Sequence, residues 1–379
     1  MKELEELLAG RRYDRRELLR GGAGLALAAG LAGCGVGGGT NAGDKKATQR
    51  KIAKKVDGDL VYFNYSEYID PELVKKFEKL HGVKVRESYY DSMQAMMAKL
   101  RAGNKYDVIF PSAEFVDRLV TGNQLLQVDV ASLKGTDAVY SSLKQPWYDP
   151  KRQFTTPYAL YATGLGYRAD KIGDMTGSWK DLVIPSAQGR SFILDDFQEG
   201  IGMANLVNGF DLNTTDEAEL DKSKDYLVSL KPKLRGFSAD TITNMTSGNA
   251  WVQHLWNGDI VNIRGQVKNP EDFKFQKCSE GIPVGNDAFA IPANAQHPGT
   301  ALLFIEFMLD PENSARNVEY MGYPMPYEGG AREAFAGLVK EDPSIEVTVD
   351  DLEGGDEFEN LKGEGRKAWD RVWSEVKAS

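Results

Sequence analysis

Two aspartates and a glutamate stand close together in FILDDFQE, residues 192–199: Asp195, Asp196 and, three positions after the second, Glu199. Carboxylates grouped this way can do acid–base chemistry, hold a metal, meet a cationic ligand or simply start a helix. Local grammar favours the helix start. An Asp at an N-cap with Glu three residues on is a capping box, contributing about 1 kcal/mol and favouring the helix dipole. Catalysis would need a partner group, and no Ser-His-Asp, HExxH or P-loop pattern is present. His81, His254 and His297 are scattered without ligand spacing, so no transition metal and no cofactor is expected.

The elements that must position these groups read as α/β. LVYFNY from Leu60 is a strand, after which Asp70-Pro71 opens a helix, Asp at the N-cap and Pro at its first position. That helix runs through ELVKKFEKLHG to Gly82, and VKVRESY is the next strand. A helix over SMQAMMAKLRAG and a short buried strand, DVIFP, follow. This alternation predicts a parallel sheet with right-handed crossovers, whose ligands bind at the carboxyl ends of the strands. Tyr65, Ser66 and Tyr68 follow the first strand and Ser112 follows DVIFP, so all four fall on that edge. A second α/β pattern comprises TGLGYRA, FILDDF entering EGIGMANLVNG, a helix near 216–230, the strand WVQHLW closed by Asn257-Gly258, the strand and turn DAFAIPANA, and the helix GTALLFIEFML.

At 379 residues the chain has room for two domains of roughly 100–200 residues each. Hydrophobic residues at 41% and charged residues at 27% predict a folded soluble body. A net charge of −10, with no long basic run in the body, disfavours nucleic acid and slightly favours cationic partners.

The N-terminus is an export signal. Arg11, Arg12, Arg15, Arg16 and Arg20 precede GLALAAGLAG, an apolar stretch that ends in small residues and then Cys34. At about 13 residues it is short of the roughly 20 that a bilayer span requires. Leu31-Ala32-Gly33-Cys34 resembles the lipobox of bacterial lipoproteins, which implies lipidation of Cys34. DRRELLR, from Asp14, resembles a twin-arginine motif with Leu where Phe is commoner and Arg for the usual Lys; a plain charged n-region on the general secretory route is the alternative. Residues 34–57 have linker composition, Gly-rich and then basic, and the basic half suits either solvent or anionic head groups. With Cys34 lipidated, Cys278 has no partner and no disulfide is expected.

Taken in order, FNYSEYIDPELVKKFEKLHGVKV, YDVIFPSAEFVDRL, FILDDFQE, LWNGDI, DAFAIPANA and MGYPMPY resemble the polyamine-binding (spermidine/putrescine) lipoproteins and periplasmic proteins of bacterial ABC importers. The resemblance runs from about residue 59 to about 330 and more loosely to the C-terminus. It implies a two-lobed, type II periplasmic-binding-protein-like α/β fold with several chain crossovers and the ligand in the cleft. The implied division is an export signal at 1–33, a lipid-anchored linker at 34–57, one lobe from 58–163 and 287–330, and a second from 164–286 and 331–379.

Carried over one position at a time, Tyr65 stands where the family often has Trp, Ser66 where it has Thr, and Tyr68, Ser112 and Tyr323 match. Asp196 and Glu199 match a pair that binds a terminal amine, Asp287 the carboxylate for an inner amine, and Trp256 a stacking Trp. Glu359 falls at a polar amide position in a loose alignment. Two positions depart. Glu114 replaces an aromatic and should add negative charge at the rim, and Gly285 replaces another aromatic and should open the box, which suits spermidine or a longer polyamine better than putrescine. The chemistry fits: amines with pKa near ~10 carry separated charges that need carboxylates once out of water, and the methylenes want aromatic walls. The implied protein is a monomeric, non-enzymatic binding protein, lipid-anchored at the outer face of the cytoplasmic membrane and partnered by an ABC permease. A different small solute (an aminophosphonate, thiamine or a chelated metal) on the same fold, and a secreted hydrolase using Asp196 and Glu199, remain the rival readings.

Overall fold

The computed structural model describes residues 52–348, 351–352 and 356–379; the expected export signal and Cys34 lie outside the described residues, as does most of the linker. The first strand, β1 (Leu60–Asn64), is followed by α1 (Pro71–His81), β2 (Val85–Tyr89), α2 (Met93–Arg101), β3 (Val108–Ile109) and α3 (Ala113–Thr121). Helix α1 starts as its sequence dictates: Asp70 is extended and accepts the Glu72 N–H, with Pro71 behind it, and Gly82 closes the helix at φ 67. Leu73, Val74 and Phe77 form its buried face, and Phe77 meets Phe304 edge-on at 5.1 Å.

Strand β1 pairs in parallel with both β2 and β3, as the strand–helix alternation predicts. The chain continues through β4 (Thr155–Arg168), α4 (Ala169–Ile172), β5 (Ser191–Ile193), α5 (Phe197–Val207), α6 (Glu217–Leu230), β6 (Gly236–Phe237), α7 (Thr241–Thr246), β7 (Val252–Trp256), α8 (Asn257–Gln266), β8 (Phe273–Gln276) and β9 (Pro283–Ala290). Helices α9 (Pro298–Met308), α10 (Pro311–Met321) and α11 (Gly330–Glu341), strand β10 (Asp356–Glu357) and α12 (Gly363–Ala378) complete it. The strand order along the sheet is β2-β1-β3-β9-β4-β7-β5-β6.

Strand β4, at 14 residues, organises the sheet. Its first part, Thr155–Ala162, is antiparallel to β9, and its second part is antiparallel to β7 and β8. The ends lie in different cores. Tyr158 and Leu160 pack with the β1 side of the sheet and helices α1, α9 and α10, while Leu165 packs with Trp179, Ile201 and Trp369. A third cluster joins Phe63 and Ile109 to Met93, Met96 and Met97 of α2.

Four local expectations change. Asn257-Gly258 does not turn the chain but begins α8, because the Asn257 side chain is used at depth: it accepts the Ala162 N–H at 3.0 Å and donates to the Ile345 carbonyl at 3.0 Å. The strand expected at TGLGYRA starts earlier, at Thr155, and the one at DAFAIPANA starts at Pro283. Asp57, at the end of the linker stretch, accepts the Gly299 and Thr300 N–H groups and so caps α9, whose own N-cap His297 makes no side-chain cap. Among the described residues no helix is long and apolar enough to cross a membrane.

Candidate binding site

A cavity of about 570 Å³ opens at the carboxyl ends of β1 and β3 and is bounded on its other side by β7 and the start of α5. That volume lies within the roughly 300–1,000 Å³ usual for small-ligand sites. Tyr65, Ser66, Tyr68, Ser112, Glu114, Asp196, Glu199, Trp256, Asp287 and Tyr323 all line it. Glu359 does not: it is exposed, and its N–H is tied to Asn213 at 3.0 Å. Two residues earlier, Glu357 is held by the Trp147 indole N–H at 3.0 Å, and Phe358 between them reaches the cavity.

The carboxylates of FILDDFQE divide their work. Asp196 is the N-cap of α5, accepting the Gln198 and Glu199 N–H groups at 2.8 and 3.2 Å. Glu199 turns into the cavity instead of back to the cap: Thr163 Oγ1 donates to it at 2.9 Å and Trp256 Nε1 at 3.1 Å. Asp195 faces outward and pairs with Lys377 at 2.7 Å, a surface contact with α12. From β9, Asp287 receives the Tyr68 hydroxyl at 2.7 Å, and its backbone bridges to Ser112. Ser112 precedes α3 without capping it, and its hydroxyl donates to Glu114 at 2.7 Å.

Aromatic rings line the walls between these groups. Tyr65 meets Tyr90 at 4.5 Å, Tyr68 at 5.9 Å and Trp256 at 6.2 Å between centroids, and Tyr68 meets Tyr323 edge-on at 5.3 Å. Such faces suit both methylenes and ammonium groups.

Several lining residues escaped the sequence reading. Asp259 lies in the quoted LWNGDI, three residues after Trp256, and accepts the Thr241 and Tyr323 hydroxyls, each at 2.7 Å. Tyr161 sits in β4 directly opposite Gly285 of β9. A Cβ on Gly285 would lie 2.6 Å from the Tyr161 hydroxyl oxygen and 2.7 Å from Cζ. The box is therefore not opened at Gly285, because Tyr161 from the neighbouring strand fills the space. Glu114 is likewise not at a rim: it is 7% exposed.

Burial sets the electrostatics; Lys99 also lines the cavity, and the Arg366 charge opposes the rise at Asp196. Burial raises Asp287 to about 7, against the Tyr68 hydrogen bond. Burial and then the Glu199 charge raise Asp196 to about 7, and burial raises Asp259 to about 6. Glu114 rises to about 8, again through burial, with the Ser112 hydroxyl opposing. Among the described residues no Lys or Arg is ion-paired with any of these carboxyls, and Glu199 meets only the His254 ring, at 3.7 Å. Cys278 is buried in the core that holds Trp179, and burial pushes its thiol up. No group of three or more His, Cys, Asp or Glu among the described residues is arranged to hold a metal.

The chain is similar to known extracellular solute-binding proteins. A family model described as bacterial extracellular solute-binding protein matches residues 72–347. The spermidine/putrescine-binding periplasmic protein of Salmonella typhimurium is 31% identical over 327 residues, 85% of this chain and 92% of its own. Among solved structures, a spermidine/putrescine ABC transporter substrate-binding protein of Streptococcus pneumoniae superposes with a TM-score of 0.70 at 25% identity, covering 85% of this chain and 99% of its own. A lipoprotein of Treponema pallidum does so with a TM-score of 0.73 at 26% identity, covering 84% and 98%.

Proposed function

The chain belongs to the bacterial extracellular solute-binding proteins, and we propose that it binds a polyamine outside the cytoplasm and hands it to an ABC importer. Its fold is that of the type II periplasmic binding proteins, two lobes with a ligand cleft between them. The observation that carries the ligand class is a set of carboxyls, buried Glu114, Glu199, Asp259 and Asp287 and half-buried Asp196, lining one cavity with no Lys or Arg ion-paired to them among the described residues. Desolvated acidic groups kept together in this way are unfavourable until opposite charge arrives. A polyamine brings several positive charges at fixed spacing, joined by methylenes that suit Tyr65, Tyr68, Trp256 and Tyr323.

In this reading Glu199 and Asp196 receive one ammonium and Asp287 another, with the aromatic rings as walls and Ser66 and Ser112 as polar supports. Glu359, being outside the cavity, has no direct part. The lobes are taken as 58–163 with 287–330, and 164–286 with 331–379, closing on the ligand so that the closed form is presented to the permease. Members of the family are solute-binding transport proteins, and we assign this chain no reaction: Asp196 is occupied as a helix cap, and Glu199 by two donors, which suits binding over acid–base work. The N-terminal motifs support export, by the twin-arginine or general secretory route, and a lipid anchor on Cys34 that holds a monomer at the outer face of the cytoplasmic membrane.

A thermal-shift and calorimetric screen over putrescine, spermidine, spermine, an aminophosphonate and thiamine tests the assignment. A polyamine response abolished by Glu199→Gln and Asp287→Asn is expected. A response to the other solutes alone, or polyamine binding indifferent to both substitutions, would overturn it.

A further inference from the structure

Two carboxyls in the cavity each have a single side-chain donor, Asp287 from the Tyr68 hydroxyl and Glu114 from the Ser112 hydroxyl, and of the two only Glu114 has no ligand amine assigned to it above. Asp259 has both oxygens occupied, by the Thr241 and Tyr323 hydroxyls, and Asp196 is held by two backbone N–H groups. Glu114, in the first turn of α3, has one oxygen bonded to the Ser112 hydroxyl and no other side-chain donor among the described residues. No Lys or Arg among those residues is ion-paired with it, although it is 7% exposed. A buried carboxyl in this condition costs free energy unless a ligand completes its hydrogen bonds.

A second unused group stands nearby. Tyr161, 9% exposed, projects from β4 across Gly285, and its hydroxyl has no hydrogen-bond partner among the described residues. Tyr161 lines the same cavity as Glu114 and Ser112, and burial, then the Glu114 charge, raise its hydroxyl well above the usual tyrosine range. The lack of a Cβ at residue 285 is what lets the Tyr161 tip occupy this position, since any side chain there would collide with the ring. Glu114, the Ser112 hydroxyl and the Tyr161 hydroxyl thus offer acceptors on the cavity wall, and an ammonium carries three donors in need of them.

We propose that Glu114, with the hydroxyls of Ser112 and Tyr161, is an additional amine subsite, distinct from those of Asp196 with Glu199 and of Asp287, which makes the protein select triamines and tetraamines over diamines. The proposal rests on the polyamine reading above. A diamine spans two subsites and leaves Glu114 unsatisfied. A longer polyamine reaches it and ionises it on arrival.

The test is calorimetry of the full chain in mild detergent with putrescine, spermidine and spermine, for the wild type, Glu114→Gln, Tyr161→Phe and Glu199→Gln. Loss of one charge-assisted bond corresponds to about 10- to 100-fold. Glu114→Gln is expected to weaken spermidine and spermine by that factor and to change putrescine by less than about threefold. Tyr161→Phe, which keeps the ring over Gly285, should weaken the same two ligands by a smaller factor; ligand-free melting temperatures near that of the wild type show that both variants fold. Equal losses for all three ligands, or none for Glu114→Gln while Glu199→Gln still weakens every ligand, would overturn the subsite and leave the polyamine reading standing. A wild-type chain that takes none of the three would overturn both.

Discussion

If a polyamine binds among these carboxyls, it must drive protons off them. In the ligand-free protein Asp196 and Asp287 titrate at about 7, so each is about half protonated at pH 7, and Glu114, at about 8, is nearly all protonated. Moving an aspartate from 3.8 to about 7 corresponds to roughly 4 kcal/mol in favour of its neutral form, at about 1.4 kcal/mol per pH unit. A ligand ammonium reverses that preference. The ligand's amines, with pKa near ~10, take up no protons at neutral pH, so net release of between about one and two protons is expected at pH 7. Affinity should therefore rise about 10- to 100-fold per pH unit around pH 7, flattening above about pH 8 once the carboxyls are already ionised. Calorimetry in buffers of different ionisation enthalpy reads the proton count directly, and Asp287→Asn should lower it by about half a proton at pH 7. Proton uptake at pH 7, or an affinity that does not change between pH 6 and pH 8, would refute the reasoning.

The same shifts carry a sign for stability. Carboxyl pKa values raised by folding contribute stability that is present below the unfolded values and lost as pH rises through about 6 to 8, so the ligand-free protein should lose denaturant resistance from pH 5 to pH 8. A gain over that range, measured by urea unfolding, would contradict the assigned shifts. Gly258→Ala would place a Cβ 2.3 Å from the Tyr323 ring; the displaced hydroxyl should release Asp259, with a stability loss of about 1–3 kcal/mol by calorimetric unfolding and at least about tenfold weaker polyamine binding. Cys34→Ser should move the protein from the membrane fraction to the soluble fraction, read by fractionation and by loss of the lipid mass at the N-terminus.

Much of the local structure could be read from the chain because its signals are local. Asp70, Pro71 and Gly82 mark the ends of α1 by their own backbone preferences, and Asp196 caps α5 for the same reason. The parallel pairing of β1 with β2 and β3 follows from the helices between them. The site residues carried by ordered motifs meet at one cavity, apart from Glu359, where the alignment was loose. What could not be read depends on partners distant in sequence. Nothing near Tyr161 indicates that strand register sets it against Gly285, more than a hundred residues away. The burial of Glu114 likewise depends on β9 crossing beside Ser112, and Asn257-Gly258 reads as a turn until the Ile345 carbonyl and the Tyr323 ring are in place.

Strand β4 gives the cavity a mechanical connection to both ends of the sheet. Tyr161 and Thr163, two residues apart and so on one face of the strand, reach Gly285 and Glu199, while Ala162 between them is pinned by Asn257. On one side of this tripeptide the strand is embedded with Tyr158 in one core, and on the other with Leu165 in a second. A change in the twist of β4 that swings one core against the other must therefore move the Tyr161 and Thr163 hydroxyls relative to the carboxyls they approach. The cavity wall and the join between the two cores thus depend on the same three residues of β4, 161–163.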